Sequence, residues 1–168
     1  METLTNPGYR IISDHAIAEV RQNLITNQNG LFALRQFDPE ETIQNFFAAQ
    51  ILSEPTYLTV QVGIDKHILL QPEFLQYINH SCNPNVFFDT YQMKVIALKH
   101  IQPGEEFTFF YPSTEWDMVQ PFICHCGSIN CLKEIKGAAY LAKKETTHYR
   151  LTNFIQQQLH DRKIRKRA

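Results

Sequence analysis

The cysteines of this chain are the residues whose type and spacing most directly indicate chemistry. One of the four stands alone in INHSCNPN, residues 78–85, and three form a C-x-C-x4-C cluster in CHCGSINC, residues 124–131. A structural zinc site takes four ligands in a tetrahedron, and thiolates are among its preferred ligands. The clustered thiols are one ligand short, and the isolated cysteine is the natural fourth. The predicted zinc ligands are Cys82, Cys124, Cys126 and Cys131.

Disulfides are one alternative to zinc, and a mixed histidine–cysteine site is another. Disulfides need an oxidising compartment. The N-terminal METLTNPGYR lacks the basic segment and apolar run of a secretory signal, so we expect an intracellular protein, cytoplasmic or nuclear. A bridge between Cys124 and Cys126 would also be tight for the Cβ separation that a disulfide needs. His80 or His125 can replace a thiolate, but an all-thiolate site uses every cysteine of the chain.

The bulk composition is that of an ordinary globular domain, with 168 residues, 43% hydrophobic and 20% charged. No apolar run approaches the eighteen or so residues that span a bilayer, so we expect no membrane contact. The net charge is −1, but the final DRKIRKRA, residues 161–168, carries five basic residues and one acid. A solvated terminus is the simpler interpretation, and weak contact with nucleic acid or an acidic partner is the alternative.

Short apolar and β-branched runs separated by Pro, Gly and Asn predict a mostly β domain. The PEFLQYIN stretch, residues 72–79, is typical of a short helical turn with Pro72 at its first position. The predicted strands lie within residues 31–37, 57–63, 67–70, 85–89, 94–98 and 106–110.

The C-terminal third has a different pattern, which predicts a helix from about Lys143 onward. Apolar residues recur there at helical spacing and would form one face. That face is most simply core packing, with a dimer contact as the less favoured interpretation. Its members are Leu151, Phe154, Ile155 and Leu159.

Four motifs in order resemble the SET-domain protein-lysine methyltransferases that carry a post-SET zinc loop. They are GLFA (30–33), INHSCNPN (78–85), GEEFTFFY (104–111) and CHCGSINC (124–131). The resemblance covers about residues 8–135 and implies a fold of small curved β-sheets with a threaded (pseudoknot) crossing of the second and third motifs. It also implies three regions: a SET domain (8–113), a post-SET loop (114–135) and a C-terminal helical extension with a basic tail (136–168).

The resemblance implies methyl transfer from S-adenosylmethionine to the ε-amine of a protein or peptide lysine, histone or non-histone. It makes Cys82 the remote ligand of the post-SET zinc. The implied catalytic residue is Tyr111, whose hydroxyl points at the methyl-transfer site. The implied cofactor-binding residues are Gly30, Leu31, Phe32, Tyr57, Asn79 and His80.

The chemistry requires a neutral amine, because an ammonium has no lone pair and a lysine pKa lies near 10. An aromatic channel lowers that pKa by desolvation. Strand alternation places Phe109 and Tyr111 on one face and Phe110 on the other. We therefore expect Phe109, with Trp116 and Phe122, to line the channel and Phe110 to lie in the core. By the resemblance, Phe rather than Tyr at position 109 leaves room for di- or trimethylation. No general base is evident.

Several positions depart from the family pattern: Gln28 replaces the first glycine of G-x-G, Gln76 an arginine, Phe46 a tyrosine and Phe110 an acid. The cysteine-rich region that often precedes this domain is not recognisable. Two further hypotheses therefore stay open. One is a SET-like protein-binding module without catalytic activity, and the weaker one is a zinc-bearing nucleic-acid adaptor that works through the basic tail.

Overall fold

Thirteen short strands lie between residues 9 and 135 of the described chain and form the body of the domain. The structure, a computed structural model, describes residues 8–165, so Lys166 and Arg167 of the basic tail lie outside the described residues. In chain order the strands are β1 (Tyr9–Asp14), β2 (Ala18–Asn23), β3 (Asn29–Ala33), β4 (Thr42–Asn45), β5 (Phe47–Leu52), β6 (Thr59–Gly63), β7 (Lys66–Gln71), β8 (Asn79–His80), β9 (Val86–Asp89), β10 (Lys94–Ala97), β11 (Thr108–Phe109), β12 (Phe122–Ile123) and β13 (Glu134–Ile135).

These strands form five small sheets rather than one large one, which confirms the mostly β fold expected from the sequence. Three sheets have three strands, in the orders β1-β2-β3, β4-β10-β9 and β5-β7-β6, and two are the pairs β8-β11 and β12-β13. Every pairing is antiparallel except β8 with β11. A 3₁₀ helix at Glu73–Tyr77 joins β7 to β8, in agreement with the predicted helical turn, except that Pro72 is its N-cap rather than its first residue.

Each of the six predicted strand runs overlaps a strand, but seven strands were not predicted. Strand β2 shows why: its sequence AEVRQN looks exposed, yet its first four residues are buried. Arg21 Nε donates to Glu19 Oε1 over 2.6 Å, and its guanidinium lies 4.6 Å from the centre of the Phe32 ring. The ion pair and the aromatic face compensate for burial of the two charges, and no hydrophobic pattern reveals them.

The parallel pair β8–β11 joins the two segments of the expected crossing. Thr108 lies opposite Asn79, and Phe109 lies opposite His80. Asn85 fixes the same junction, because its Nδ2 donates to the Glu106 carbonyl over 2.8 Å and its Oδ1 accepts from the Thr108 N–H over 2.8 Å. INHSCNPN and GEEFTFFY are therefore held together by main-chain and amide hydrogen bonds.

The C-terminal region contains two helices instead of the single helix predicted from Lys143. Helix α1 covers Lys143–His148 and helix α2 covers Asn153–Arg165, with an extended Tyr149 between them. Leu151 precedes α2 and is buried with Ile155 and Leu159. The apolar spacing continues across the break, so the pattern predicted the buried face but could not show the interruption.

A second hydrophobic cluster anchors this region to the body of the domain. Phe110 is 2% exposed and stacks on Tyr149, with ring centres 3.6 Å apart and planes 11° apart. The Tyr149 hydroxyl donates to the Cys82 carbonyl over 2.8 Å. Phe110 is thus in a core, as predicted, and its ring is a direct contact for the C-terminal extension.

Among the described residues, no helix is long and apolar enough to cross a membrane.

Replacement of Phe110 by alanine tests the anchoring of the extension. We expect Phe110→Ala to lower the free energy of unfolding by about 3–5 kcal/mol, since it removes a buried ring and leaves a cavity. The matched control is Phe47→Ala, because Phe47 is 60% exposed and should cost less than about 1 kcal/mol. Urea unfolding followed by circular dichroism measures both, and equal losses would contradict the anchoring role.

Candidate functional site

The four cysteines meet in one cluster, with all Sγ atoms within 4.8 Å of one another. They form no disulfide. Cys82 is fully buried and lies 4.0 Å from Cys124, Sγ to Sγ. The Leu132 N–H donates to Cys82 Sγ over 3.4 Å. The structure therefore brings the isolated thiol to the CHCGSINC loop, as the cysteine spacing predicted.

The donor set fits a soft divalent ion. Burial raises the pKa of Cys82 far above its usual range and raises the pKa of Cys124 to about 11. Burial acts on Cys126 as well, but hydrogen bonds from Ser128 outweigh it and lower the pKa of Cys126 to about 6. Four thiolates this close are stable only beside a cation, and zinc binding displaces their protons. His125 is exposed and outside the cluster.

His80 connects the thiol cluster to Tyr111. Its Nδ1 accepts the Tyr111 N–H over 3.2 Å, which assigns the ring proton to Nε2, 3.4 Å from Cys82 Sγ. Burial lowers the pKa of His80 to about 4, so the ring is neutral near pH 7. The imidazole also contacts Phe110 and Phe122, with ring centres 5.7 and 5.5 Å away. His80 thus acts as a bridge between sulfur and backbone.

A cavity of about 430 Å³ opens next to this bridge. Phe109, Tyr111 and Phe122 all line it, with Tyr111 4.7 Å from Phe109 and 5.9 Å from Phe122, centre to centre. Phe88 closes one side, 4.7 Å from Phe109. Tyr57 also lines the cavity and is 83% exposed. These walls are mostly aromatic and apolar, which suits the methylene stem of a lysine.

Trp116, expected as a channel wall, does not line this cavity. It packs against the second hydrophobic cluster, and the Arg162 guanidinium lies 5.7 Å from its ring centre. The physical reason is a helical turn at residues 111–115, where Glu115 N–H donates to the Tyr111 carbonyl over 3.0 Å. Helical spacing puts Glu115, the fourth residue after Tyr111, on the same side of the turn as Tyr111. It points Trp116, the fifth residue, away from the cavity.

The other predicted cofactor residues lie together at the junction of β3, β8 and the segment before β11. Asn79 Nδ2 donates to the Asn29 carbonyl and to Glu106 Oε1, both over 2.8 Å. A Cβ on Gly30 would lie 2.5 Å from Glu106 Oε1, so a larger residue there would displace the Glu106 carboxyl to which Asn79 donates. Leu31 and Phe32 continue the same strand and are buried. Tyr57 is separate from this group, on the exposed rim of the cavity.

Two acceptors at this junction have no cationic partner. Asn29 Oδ1 is buried and receives no hydrogen bond from the described residues. Burial raises the pKa of Glu106, and no ion pair joins it to any residue between 8 and 165. A ligand with a positively charged amino group would satisfy both acceptors beside Gly30.

Glu115 is the functional candidate that sequence reasoning missed. It lines the cavity with Tyr111, and burial raises its pKa to about 7, although hydrogen bonds from Gln61 and Thr114 oppose that shift. The signal was available in Pro112, because proline is common at the first position of a helical turn. A turn that begins there puts the carboxyl of Glu115 on the same side as Tyr111.

A four-thiol cluster and an aromatic cavity, joined by His80, thus make up the candidate site of this β fold. The family profile described as "SET domain" matches residues 28–112, half of the chain, and the chain belongs to the SET-domain family.

Relatives with methyltransferase names are similar to parts of this chain. The chain is 45% identical over 102 residues to "Methyltransferase flvH" of Aspergillus flavus. This match covers 60% of this chain and 57% of that protein. It is 40% identical over 68 residues to "Histone-lysine N-methyltransferase, H3 lysine-36 specific" of Candida albicans. This match covers 37% of this chain and 8% of that protein. A protein of the same name from Mycosarcoma maydis is 30% identical over 150 residues, 73% of this chain and 15% of that protein. The chain thus spans a little over half of the first relative and a small part of the others.

The raised pKa of Glu115 predicts a pH-dependent stability. A carboxyl whose pKa rises on folding stabilises the fold while it is protonated, and that contribution is lost as the pH rises from about 4.5 through about 7. Glu115→Gln removes the effect, so its free energy of unfolding relative to wild type should rise between pH 5 and pH 8. We expect a rise on the order of 1–2 kcal/mol, reduced by partial solvent exposure.

Urea titrations at pH 5, 6, 7 and 8 measure this difference. Glu54 is an exposed acid next to Pro55 of the cavity lining, so Glu54→Gln provides the control and should show no such trend. If Glu115→Gln and wild type gave parallel curves, Glu115 would not carry the assigned shift.

Proposed function

We propose that the protein is an S-adenosylmethionine-dependent protein-lysine N-methyltransferase stabilised by a structural zinc. One observation carries the proposal: Tyr111, the last residue of GEEFTFFY, lies in the wall of an aromatic cavity and is joined through His80 to the thiol cluster. Membership of the SET-domain family and the methyltransferase names of the relatives support it.

The residues around Gly30 fit S-adenosylmethionine. The donor's methionine end carries an amino group, and Asn29 Oδ1 and the Glu106 carboxyl are acceptors without a cationic partner there. The β3 backbone of Gly30, Leu31 and Phe32 and the side chains of Asn79 and His80 are proposed to hold this donor. When bound, it supplies an activated methyl group on sulfonium. Tyr57, on the cavity rim, is better placed for the protein substrate.

The residues of this chain then align and desolvate the amine. Phe109, Phe122 and Phe88 exclude water from the cavity, which favours the neutral amine. Burial raises the pKa of Tyr111 to about 12, so its hydroxyl stays protonated and available for weak C–H···O contacts with a methyl group. Positioning of the two reactants supplies much of the expected rate enhancement.

The proposed zinc is structural rather than catalytic. The thiolates of Cys82, Cys124, Cys126 and Cys131 would hold it as four protein ligands, which is typical of a structural site. The ion would fix Cys82 to the CHCGSINC loop, and through His80 it would hold the backbone N–H of Tyr111. Short loops with little apolar surface need such a constraint, and structural zinc contributes about 10 kcal/mol to folding in small domains.

The proposed substrate is a lysine within a protein or peptide. The cavity accepts an apolar stem, and two relatives are named for methylation of histone H3 at lysine 36. A histone tail is therefore the first substrate to test, followed by a wider peptide array. The Phe109 side chain has no hydroxyl, so it does not anchor a water molecule in the space beside Tyr111. That space is left for further methyl groups, and we therefore propose di- or trimethylation.

Elemental analysis tests the zinc site. We expect one zinc ion per chain in protein purified under reducing conditions, and its loss in Cys131→Ser together with a large drop in stability. The control is His125→Ala, which changes an exposed histidine in the same loop and should retain the metal. Absence of zinc from wild type, or its loss in His125→Ala, would contradict the all-thiolate site.

A methylation assay tests the activity. Wild type should bind S-adenosylmethionine in a calorimetric titration and transfer methyl groups to a lysine peptide. We expect Tyr111→Phe to slow turnover roughly ten-fold, the scale of one or two weak C–H···O contacts, with little change in cofactor binding. Tyr91→Phe is the control, since Tyr91 is 79% exposed, and it should retain full activity.

The same assay separates the alternative functions. Mass spectrometry should find di- or trimethyllysine, and a product that stops at monomethyllysine would contradict the proposed degree. Cofactor binding without turnover on any peptide would favour the binding module. Failure to bind the cofactor at full zinc occupancy would favour the adaptor.

A further inference from the structure

The Glu115 backbone is fixed on both sides of the residue. Its N–H donates to the Tyr111 carbonyl over 3.0 Å, and its carbonyl accepts the Ala138 N–H over 2.8 Å. The neighbouring Trp116 N–H donates to Gln61 Oε1 over 2.9 Å. The side chain therefore enters the cavity from a rigid turn, four residues after Tyr111.

The two carboxyl oxygens of Glu115 have different surroundings. Oε1 accepts the Gln61 N–H over 2.9 Å and the Thr114 hydroxyl over 3.0 Å. Oε2 receives no hydrogen bond from any residue that the structure describes. The first oxygen orients the carboxyl, and the second is left for a ligand in the cavity.

The cavity contains no cation to balance this carboxyl. Its lining includes Glu115 as the single acid and has no lysine, arginine or histidine among the described residues. The groups packed against Glu115 from β6 and from the adjoining turn, Gln61 and Thr114, are uncharged. A half-buried carboxylate without a countercharge is costly, so a cationic ligand would be stabilised here.

We infer that the Glu115 carboxylate binds the ammonium group of the substrate lysine inside the cavity and accepts its proton before methyl transfer. The inference rests on the proposed function and adds to it the proton acceptor that the sequence did not reveal.

The proton transfer conserves charge within the cavity. The ammonium R–NH₃⁺ and the carboxylate become the amine R–NH₂ and the carboxylic acid, so one N–H bond breaks and one O–H bond forms. The freed lone pair lies next to Tyr111. Burial raises the pKa of Glu115 to about 7, which is closer to the pKa of a lysine amine than that of an exposed glutamate. Proton transfer from the ammonium to Glu115 is therefore easier than to an exposed glutamate. The carboxyl returns its proton to water at the open side of the cavity.

Binding of n-butylamine tests the inference without methyl transfer. The probe has the stem and ammonium of a lysine side chain, and its affinity for the zinc-loaded full chain is measured by NMR titration at pH 8. We expect Glu115→Gln, which keeps an oxygen to accept from Gln61, to bind it at least about ten-fold more weakly. Glu54→Gln removes one charge near the cavity and should stay within about two-fold of wild type.

The pH dependence of the wild type is a second test that needs no variant. Butylamine stays cationic between pH 8 and pH 5.5, while the Glu115 carboxyl becomes protonated. The lining has no other acid and no base, burial raises the pKa of its Tyr111 phenol to about 12, and Glu106, whose charge reaches Tyr111, lies outside the lining. Affinity should therefore fall about ten-fold or more across this range, and a flat profile would overturn the inference.

Turnover provides the catalytic comparison. Glu115→Gln should lower kcat/KM for a lysine peptide by about a hundred-fold, the scale of a lost proton acceptor, while its affinity for S-adenosylmethionine stays unchanged. If Glu115→Gln bound butylamine and turned over as wild type does, the inference would fail and the proposed function would stand. If wild type methylated no lysine, the proposed function would fail, whereas amine binding would still be measured separately.

Discussion

The parallel contact between β8 and β11 is the constraint on which the rest of the site depends. It is only two residues wide, yet it places the segment that contains Asn79, His80 and Cys82 beside the segment that ends in Tyr111. Asn85 reinforces it through bonds to residues 106 and 108. Because both segments are short and irregular, small displacements there would separate the thiol cluster from the aromatic cavity at the same time.

Around this contact the protein keeps several polar groups partly or fully buried, and each needs a partner. His80 is neutral and uses both ring nitrogens. The four thiols could hold a cation, and Glu106 and Glu115 are carboxyls without a cationic partner among residues 8–165. The fold thus concentrates negative groups where the proposed ligands, a zinc ion, a sulfonium donor and a lysine, are all positively charged.

Much of this arrangement was predictable from local sequence, and the remainder was not for physical reasons. The cysteine count predicted the thiol cluster, and strand alternation separated Phe109 from Phe110. Trp116 was misplaced and Glu115 was missed because the directions of both side chains depend on one helical turn after Tyr111, which the strand pattern conceals. The break at Tyr149 was invisible because apolar spacing continues through it. Strand β2 was missed because two of its four buried residues are a charge pair, Glu19 and Arg21.

The stack of Phe110 on Tyr149 has a consequence for how this protein can diverge. The two rings are in separate regions, and the hydroxyl of the second also touches the main chain at Cys82. An acid at position 110 would lie against an aromatic face, and a chain without residue 149 would leave the phenylalanine in water. The two positions are therefore expected to covary: homologues that acquire the acid should also lose or reshape the extension.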